Sequence, residues 1–206
     1  MAKKILSGIA AGILISIGGT VYLSCDIKYV GAILFSVALL CICLKGYSLF
    51  TGKVGFMPEK HDKEAFSVLL LGLLGNVIAT TVCGLVLRGV LPAVGDAANT
   101  ICTAKLDQTF LSALVRAIFC GILMYLAVSI YRDHNHNIAG IVFCIPVFIL
   151  CGFEHSIADM FYFAASGIVS LQAFLYIWLI IIGNAIGGML LPVLTGAASH
   201  RKDKAQ

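Results

Sequence analysis

Apolar residues form six long segments along the chain, at about 5–24, 29–56, 65–91, 109–131, 137–164 and 171–197. Polar stretches separate them, among them residues 58–64, 95–107 and 132–136, with a short neutral turn near 166–170. Because a membrane-spanning helix needs roughly 20 apolar residues, the pattern predicts an all-α membrane protein with six transmembrane helices.

The second and fifth segments are too long and too interrupted to be plain helices. Residues 45–55 and 151–159 place glycines and ionisable side chains where a helix would cross the membrane. These two breaks hold corresponding positions in two triplets of spans, and the third and sixth spans share a Gly-Asn pair, at Asn76 and Asn184. The sequence therefore predicts one transmembrane domain over residues 1–206, built as an inverted repeat with halves at about 1–95 and 105–200. Broken helices at matching places of such a repeat indicate the solute site.

The composition agrees with a membrane protein. Of the 206 residues, 60% are hydrophobic and 12% are charged, with a mean hydropathy of +1.02. A soluble domain of this size cannot bury so much apolar surface, and no appended soluble domain fits. The net charge of +4 forms no nucleic-acid-binding stripe. The apolar run at 5–23 exceeds the 7–15 residues usual in a signal peptide, so we expect a retained first helix.

The basic residues predict the orientation. If the N-terminus is cytoplasmic, nine Lys and Arg residues lie on the inner side and three on the outer side. This agrees with the general rule that cytoplasmic loops carry an excess of basic residues. The inner nine are Lys3, Lys4, Lys53, Lys60, Lys63, Arg132, Arg201, Lys202 and Lys204, and the outer three are Lys28, Arg88 and Lys105. We expect a multi-pass protein of the cytoplasmic (inner) membrane with both termini in the cytoplasm.

Six of the eight cysteines lie inside apolar segments, where a free cysteine behaves as a small hydrophobic residue. Cys25 and Cys102 both fall in predicted outer loops. The sequence leaves open whether these two form a disulfide.

The candidate chemistry lies in the two breaks. His155 follows Glu154 in the second break, and a titratable residue in a membrane usually marks a solute or proton path. The alternative is a neutral core histidine. Glu154 and Asp159 would repel an anion, so we expect both to face protein and to bond either backbone amides of the break or a neighbouring subunit. Metal-binding spacings such as HExxH are absent, and no cofactor is implied.

Thr51 offers a hydroxyl group in the first break. If the breaks meet across a pseudo-two-fold axis, Thr51 and His155 would approach each other near the midplane. Bulky apolar residues near the breaks could narrow a pore on either side, although ordinary helix packing is the alternative for Phe35, Leu39, Leu49, Phe50 and Phe148. Lys105 precedes the fourth span on the outer side, where a cation would attract anions. Arg116, two turns into that span, is expected to extend outward.

Several motifs resemble the formate/nitrite transporter family, which includes hydrosulfide channels. Residues 152–160, GFEHSIADM, are very similar to the family signature GFEHSxANM, and Leu49-Phe50-Thr51 matches its LFT motif. Phe35-Ser36 with Leu39, Lys105 with Thr109-Phe110, and Gly183-Asn184 with Gly187-Gly188 match further motifs, so that the resemblance covers nearly the whole chain.

The resemblance implies an aquaporin-like homopentamer with one pore in each protomer. It places His155 and Thr51 at the pore centre, Phe35, Leu39, Leu49, Phe50 and Phe148 at constrictions, and Lys105 in the outer vestibule. The chain departs from the family pattern at Asp159, where the family has asparagine, and at Gly121, where the family asparagine would bond the second-helix loop. We also expect no long N-terminal gating segment.

The function expected from these observations is a channel or transporter for a small monovalent anion or its weak acid: formate, nitrite or hydrosulfide. A proton would accompany the anion, and membrane lipid would surround the protein. A pore for a small neutral solute is the alternative, although the paired Asn-Pro-Ala motifs of such pores are absent. An intramembrane enzyme using Glu154 and His155 would need a nucleophile or metal-ligand set, and none is evident.

Overall fold

A computed structural model describes residues 1–196. Three of the basic residues used to predict the orientation, Arg201, Lys202 and Lys204, lie outside the described part. Within residues 1–196 the chain forms nine helices and no strands. They are α1 (Ala2–Ser24), α2 (Lys28–Lys45), α3 (Phe50–Val54), α4 (Lys63–Val90), α5 (Pro92–Leu106), α6 (Phe110–Asp133), α7 (Ala139–Leu150), α8 (Ser156–Ser166) and α9 (Leu171–Leu194).

Five of these helices, α1, α2, α4, α6 and α9, are long and apolar enough to cross a membrane. The fifth apolar segment is divided between α7 and α8, and the second between α2 and the short α3. Helices α2 and α7 therefore end at the stretches 45–55 and 151–159, which contain the glycines and ionisable residues noted in the sequence.

The polar stretch at 95–107, interpreted from the sequence as an outer loop, is mostly helical. Helix α5 begins at Pro92, a residue that suits the first position of a helix because its missing N–H group would be unpaired there. The helix contacts α8 and α4. Its residue Cys102 is fully buried. Cys102 and the partly buried Cys25 are both free thiols.

The helices pack in two similar groups. Helix α1 lies against α4, and α6 lies against α9, while α2 and α7 pack on each other. A methyl group added at Gly8 of α1 would collide with the Gly72 carbonyl of α4, and one added at Gly121 of α6 would collide with the Asn184 carbonyl of α9. Such close contact between helices requires small residues. Gly121 therefore fills a site with no room for an asparagine side chain.

Three of the polar connections are closed by side-chain caps. Asp62, Thr109 and Ser170 each accept a hydrogen bond from the backbone N–H group three residues later, at the starts of α4, α6 and α9. The bond from Ala65 lowers the pKa of the exposed Asp62 carboxyl group. These bonds satisfy amide groups that the first turn of a helix leaves unpaired.

Polar and apolar residues are distributed in the reverse of a soluble protein. Large apolar side chains such as Val82, Leu85, Trp178 and Ile182 are exposed on the outer surface. Asn76, Asn184 and Glu154 are buried in the interior. An exposed apolar surface of this extent marks a membrane or a protein interface, and the interior polar groups are where a solute site would lie.

Candidate functional site

The two breaks begin with the same backbone turn. Helix α2 ends at Gly46, with φ of 68°, and α7 is followed by Gly152, with φ of 67°. In the first break the Tyr47 N–H group donates to the Ile42 carbonyl at 3.0 Å, and in the second the Phe153 N–H group donates to the Phe148 carbonyl at 2.9 Å. This six-residue closure is the Schellman motif, which needs a left-handed residue that glycine adopts without strain.

Two buried asparagines hold the breaks in the same way. The Asn76 side chain accepts from the Phe50 N–H group at 3.0 Å and donates to the carbonyls of Ser48 at 3.0 Å and Gly8 at 2.8 Å. Two of these bonds pair backbone groups of the break that lipid could not satisfy, and the third joins the asparagine to a carbonyl of helix α1.

Asn184 forms the corresponding set in the second half. It accepts from the Ser156 N–H group and donates to the carbonyls of Glu154 and Ala117, each at 2.8 Å. Matching the two sets pairs Ser48 with Glu154 and Leu49 with His155. The counterpart of His155 in the first half is therefore Leu49, and Thr51 lies two residues beyond it in α3.

The breaks meet at the side chains of Thr51 and His155. Thr51 Oγ1 lies 2.8 Å from His155 Nε2, and both residues are buried. His155 Nδ1 accepts a hydrogen bond from the Ala158 N–H group at 3.1 Å. Since a neutral imidazole has one accepting and one donating nitrogen, Nε2 carries the proton and donates it to the threonine hydroxyl oxygen.

Two cavities lie next to this contact: His155 lines one, and Gly52, the neighbour of Thr51 in the chain, lines the other. The first, which we call the Lys105 cavity, has a volume of about 590 Å³ and includes Phe35, Phe148 and His155 in its lining. The second, which we call the Leu49 cavity, has a volume of about 270 Å³ and includes Leu39 and Leu49.

The five apolar candidates thus separate into three groups. Phe35 and Phe148 pack edge to face with ring centroids 6.4 Å apart, and Phe148 stacks on the His155 ring at 5.5 Å. Leu39 and Leu49 are buried at the other cavity. Phe50 lines neither cavity, although its N–H group donates to Asn76.

A cluster of charged groups occupies the wall of the Lys105 cavity. Lys105 Nζ forms a hydrogen-bonded ion pair with Glu154 Oε2 and lies 3.0 Å from Asp159 Oδ1. Glu154 Oε1 accepts a further bond from the Gln108 side chain at 2.8 Å. We call Lys105, Glu154 and Asp159 the charged triad.

The triad corrects one expectation from the sequence. Glu154 and Asp159 do face protein, but their side chains bond Lys105 and Gln108 instead of backbone amides of the break. The lysine thought to attract anions is thus paired with two carboxylates. A buried carboxylate bonds a cation more strongly than an amide because both partners are charged. The contact could not be read from the sequence because Lys105 and Glu154 lie 49 positions apart.

Arg116 and Gln108 belong to the site, although the sequence did not single them out for it. The Arg116 guanidinium group donates to the Gly152 carbonyl at 3.2 Å, which turns the side chain toward the second break. Gln108 lies between α5, which carries Lys105, and α6, which carries Arg116, and no sequence signal marked either residue as part of the site.

Lys53 lines the Leu49 cavity on the other side of the Thr51–His155 contact. Among residues 1–196 no carboxylate lies within ion-pair distance of its ammonium group. Arg132, which lines the same cavity, is bound by Glu59 at 3.0 Å and by Asp133 at 2.8 Å. The two cavities therefore differ in how their lysines are paired.

Long helices with an apolar outer surface and a buried polar contact indicate a multi-pass membrane protein. The family model described as "Formate/nitrite transporter" matches residues 1–198. The chain belongs to this family.

Known proteins similar to the chain agree with this assignment. An uncharacterized transporter of Bacillus subtilis, YrhG, is 29% identical over 202 residues, which cover 86% of this chain and 74% of the relative. A probable formate transporter of Methanothermobacter thermautotrophicus is 28% identical over 238 residues, covering 92% and 86%. The structure of a pentameric formate channel with formate bound superposes with a TM-score of 0.76 at 23% identity, covering 97% of each chain. This last likeness establishes the fold alone.

Proposed function

We propose that this chain forms a channel for a small monovalent anion or its weak acid, namely formate, nitrite or hydrosulfide. The observation that carries the proposal is the buried Thr51–His155 contact: His155 lines the Lys105 cavity, and Gly52, the neighbour of Thr51 in the chain, lines the Leu49 cavity. A solute crossing between the cavities would pass this contact. The names of the relatives support anion transport as the class of function.

Desolvation explains why a weak acid suits this path. A bare anion would lose its hydration between Phe35 and Phe148 on one side and Leu39 and Leu49 on the other, at a cost that apolar side chains cannot repay. A weak acid avoids most of that cost by accepting a proton before it enters. His155 is placed to give or relay that proton, directly or through water.

The basic groups of the two cavities would act differently on the anion. Lys53 lines the smaller cavity with no carboxylate within ion-pair distance among residues 1–196, and a cation at the mouth of a narrow path raises the local concentration of anions. Lys105 lines the larger cavity, where Glu154 and Asp159 offset its charge. Phe50 supports the path through its backbone bond with Asn76 instead of lining it. The structural role of Asn76, Asn184 and Glu154 is to hold the breaks open to the solute.

The membrane arrangement follows from the same reasoning. We propose six crossings, with α2–α3 and α7–α8 as the two interrupted spans of an aquaporin-like inverted repeat. The protomers would form a homopentamer, as the similar formate channel does, and the exposed apolar faces would contact lipid or neighbouring protomers. The excess of basic residues indicates cytoplasmic termini and the inner membrane.

Flux into liposomes tests the proposal. Purified protein would be reconstituted, and formate, nitrite and hydrosulfide flux would be measured across a range of pH, with glycerol as a neutral comparison. We expect anion-specific flux that rises as the pH falls. In the His155→Gln variant we expect a changed pH profile, because glutamine keeps a hydrogen-bonding side chain but cannot titrate. Glycerol flux without anion flux would contradict the function, and an unchanged profile would remove the role of His155.

A further inference from the structure

The charged triad holds two carboxylates against one ammonium group, and all three are enclosed. Glu154 and Asp159 are each 1% exposed, and the Lys105 side chain is 13% exposed. If both acids were ionised, the triad would carry one uncompensated negative charge. A buried charge without a partner is costly by several kcal/mol, and two carboxylates sharing one site resist ionising together.

One oxygen of the triad has no hydrogen-bond partner. Asp159 Oδ1 faces Lys105 Nζ, but Asp159 Oδ2 is buried and receives no hydrogen bond from the described residues. The Glu154 carboxylate, in contrast, has both oxygens occupied, by Lys105 and by Gln108. An orphaned carboxylate oxygen is unfavourable, whereas a carboxylic acid in its place has one proton to donate. The geometry thus distinguishes the two acids and selects Asp159.

No second cation pairs with Asp159 among residues 1–196. Lys105 on α5 is the cation in contact with it, and His155 is held neutral by the bonds at its two nitrogens. Arg116 and Lys28 line the same cavity, but Arg116 donates to the Gly152 carbonyl and neither lies within ion-pair distance of a described carboxylate. The remaining titratable side chains that surround the carboxyl group, from α1, α5, α6, α8 and α9, are phenols and thiols, which are uncharged at neutral pH: Tyr22, Cys102, Cys120, Tyr162 and Tyr176.

We propose that Asp159 is protonated at neutral pH and that the charged triad stores one exchangeable proton at the wall of the Lys105 cavity. Asp159 lines that cavity together with Lys105, Glu154 and His155. The proton leaves Asp159 Oδ2 for an oxygen or sulfur atom of the entering anion, and Asp159 is then a carboxylate paired with Lys105. A proton from water in the cavity restores the acid. Asp159 is in this scheme a proton donor added to a path that otherwise depends on His155.

The storage of a proton can be tested without measuring transport. Infrared difference spectra of the wild-type protein, recorded as the pH is raised, should contain the carbonyl stretch of a protonated carboxylic acid that disappears with rising pH and shifts in heavy water. The band should be absent from Asp159→Asn, since an amide copies the uncharged acid without its proton. It should also be absent from Glu154→Gln, because Asp159 would then ionise against Lys105 alone. A band that persists in both variants would overturn the proposal.

The use of this proton rests on the proposed function and needs a second measurement. The ratio of anion flux in the wild type to that in Asp159→Asn should exceed one at pH values where the infrared band is present, because asparagine has no proton to donate. It should fall on the order of tenfold as the pH rises through the loss of the band, because ionised Asp159 no longer donates and gives the cavity a net negative charge that repels anions. A ratio that stays constant with pH would overturn the role of Asp159. If the band behaves as expected while no anion crosses the membrane at any pH, the proposed function fails and the protonated triad stands.

Discussion

The two breaks of the chain share a backbone and differ in chemistry. Each has a left-handed glycine, a Schellman closure and an asparagine that makes three hydrogen bonds. At the equivalent positions, however, the first break has Ser48 and Leu49, and the second has Glu154 and His155.

The groups in contact with the two breaks also differ in charge. The Ser48 N–H group donates to the Ser7 hydroxyl at 2.9 Å, and the two serine hydroxyls lie 3.1 Å apart. Glu154 instead pairs with a lysine that also contacts Asp159. The first break is therefore neutral and the second is charged.

This difference shows that the hydrogen bonds that hold the backbone of each break do not determine which side chains stand at the matched positions. The asparagines satisfy backbone groups, and any side chain at the matched positions that fits the space is compatible with that scaffold. The contact with His155 comes from Thr51, whereas the two asparagine hydrogen-bond sets match His155 with Leu49. The contact between the breaks therefore does not follow the correspondence of their backbones.

The largest expected effect is the loss of either asparagine. Asn76→Leu and Asn184→Leu each leave one buried N–H group and one buried carbonyl of the break without that partner, at about 1–3 kcal/mol for each group, and also remove the bond to a helix carbonyl, of Gly8 or Ala117. We expect both variants to lose most of the folded oligomer, measured by thermal stability followed with size-exclusion chromatography. Asn99→Leu, at an exposed position of α5, is the control. Tolerance of one variant but not the other would show that the two breaks are not equivalent.

The next effect tests the helix contacts behind the breaks. Gly8→Ala and Gly121→Ala would each push a methyl group into a backbone carbonyl of the facing helix, and overpacking of this kind costs about 1–3 kcal/mol. We expect similar decreases in melting temperature for the two variants. Gly89→Ala is the matched control because its added methyl group would meet no atom within 4 Å. Equal stability of Gly121→Ala and the control would refute the close packing of α6 on α9.

A smaller effect is expected at the contact between the breaks. Thr51→Val keeps the shape of the side chain but removes the oxygen that accepts from His155 Nε2. Leaving that donor unpaired costs about 1–3 kcal/mol and should change the pH profile of flux. Thr51→Ser retains the hydroxyl group and should stay close to the wild type. Identical flux profiles for valine and serine would mean that the hydroxyl group is not used.

The smallest effect concerns the unpaired lysine of the Leu49 cavity. Lys53→Gln should leave stability unchanged and reduce anion entry from that side, because surface and cavity charges act on association rates. The reduction should shrink as ionic strength rises, since salt screens charges over about 10 Å at 0.1 M. Lys45→Gln, at an exposed residue that lines neither cavity, serves as the control. Equal effects of the two variants at every salt concentration would deny Lys53 a specific role.

Much of the fold could be predicted because its signals are local. Apolar length predicted the long helices. Glycine and ionisable residues predicted interruptions at 45–55 and 151–159, and the gaps between α2 and α3 and between α7 and α8 lie within those ranges. Helix α5 was missed because its polar, alanine-containing stretch has no apolar periodicity. Its helical form depends on packing against α8 and α4, which is a tertiary effect.

Most residues that the structure brings together at the candidate site were named from the sequence, but the hydrogen bonds and ion pairs between them were not predicted. His155, Thr51 and Asn76 were all named from the sequence, as was Lys105. Which atoms bond which could not be deduced, because Lys105 and Glu154 lie 49 residues apart, and Thr51 and His155 lie 104 apart. Gln108 had no sequence signal strong enough to mark it, since a single glutamine beside a helix start is common.

The sequence by itself determined that this is a membrane protein with two interrupted segments, because hydropathy and glycine placement act over a few turns of chain. Only the tertiary structure decided that Leu49 is the counterpart of His155, that Lys105 is neutralised by two carboxylates and that Lys53 is not. Those assignments depend on hydrogen bonds and charges between helices distant in sequence, and their energies exist only once the helices have packed.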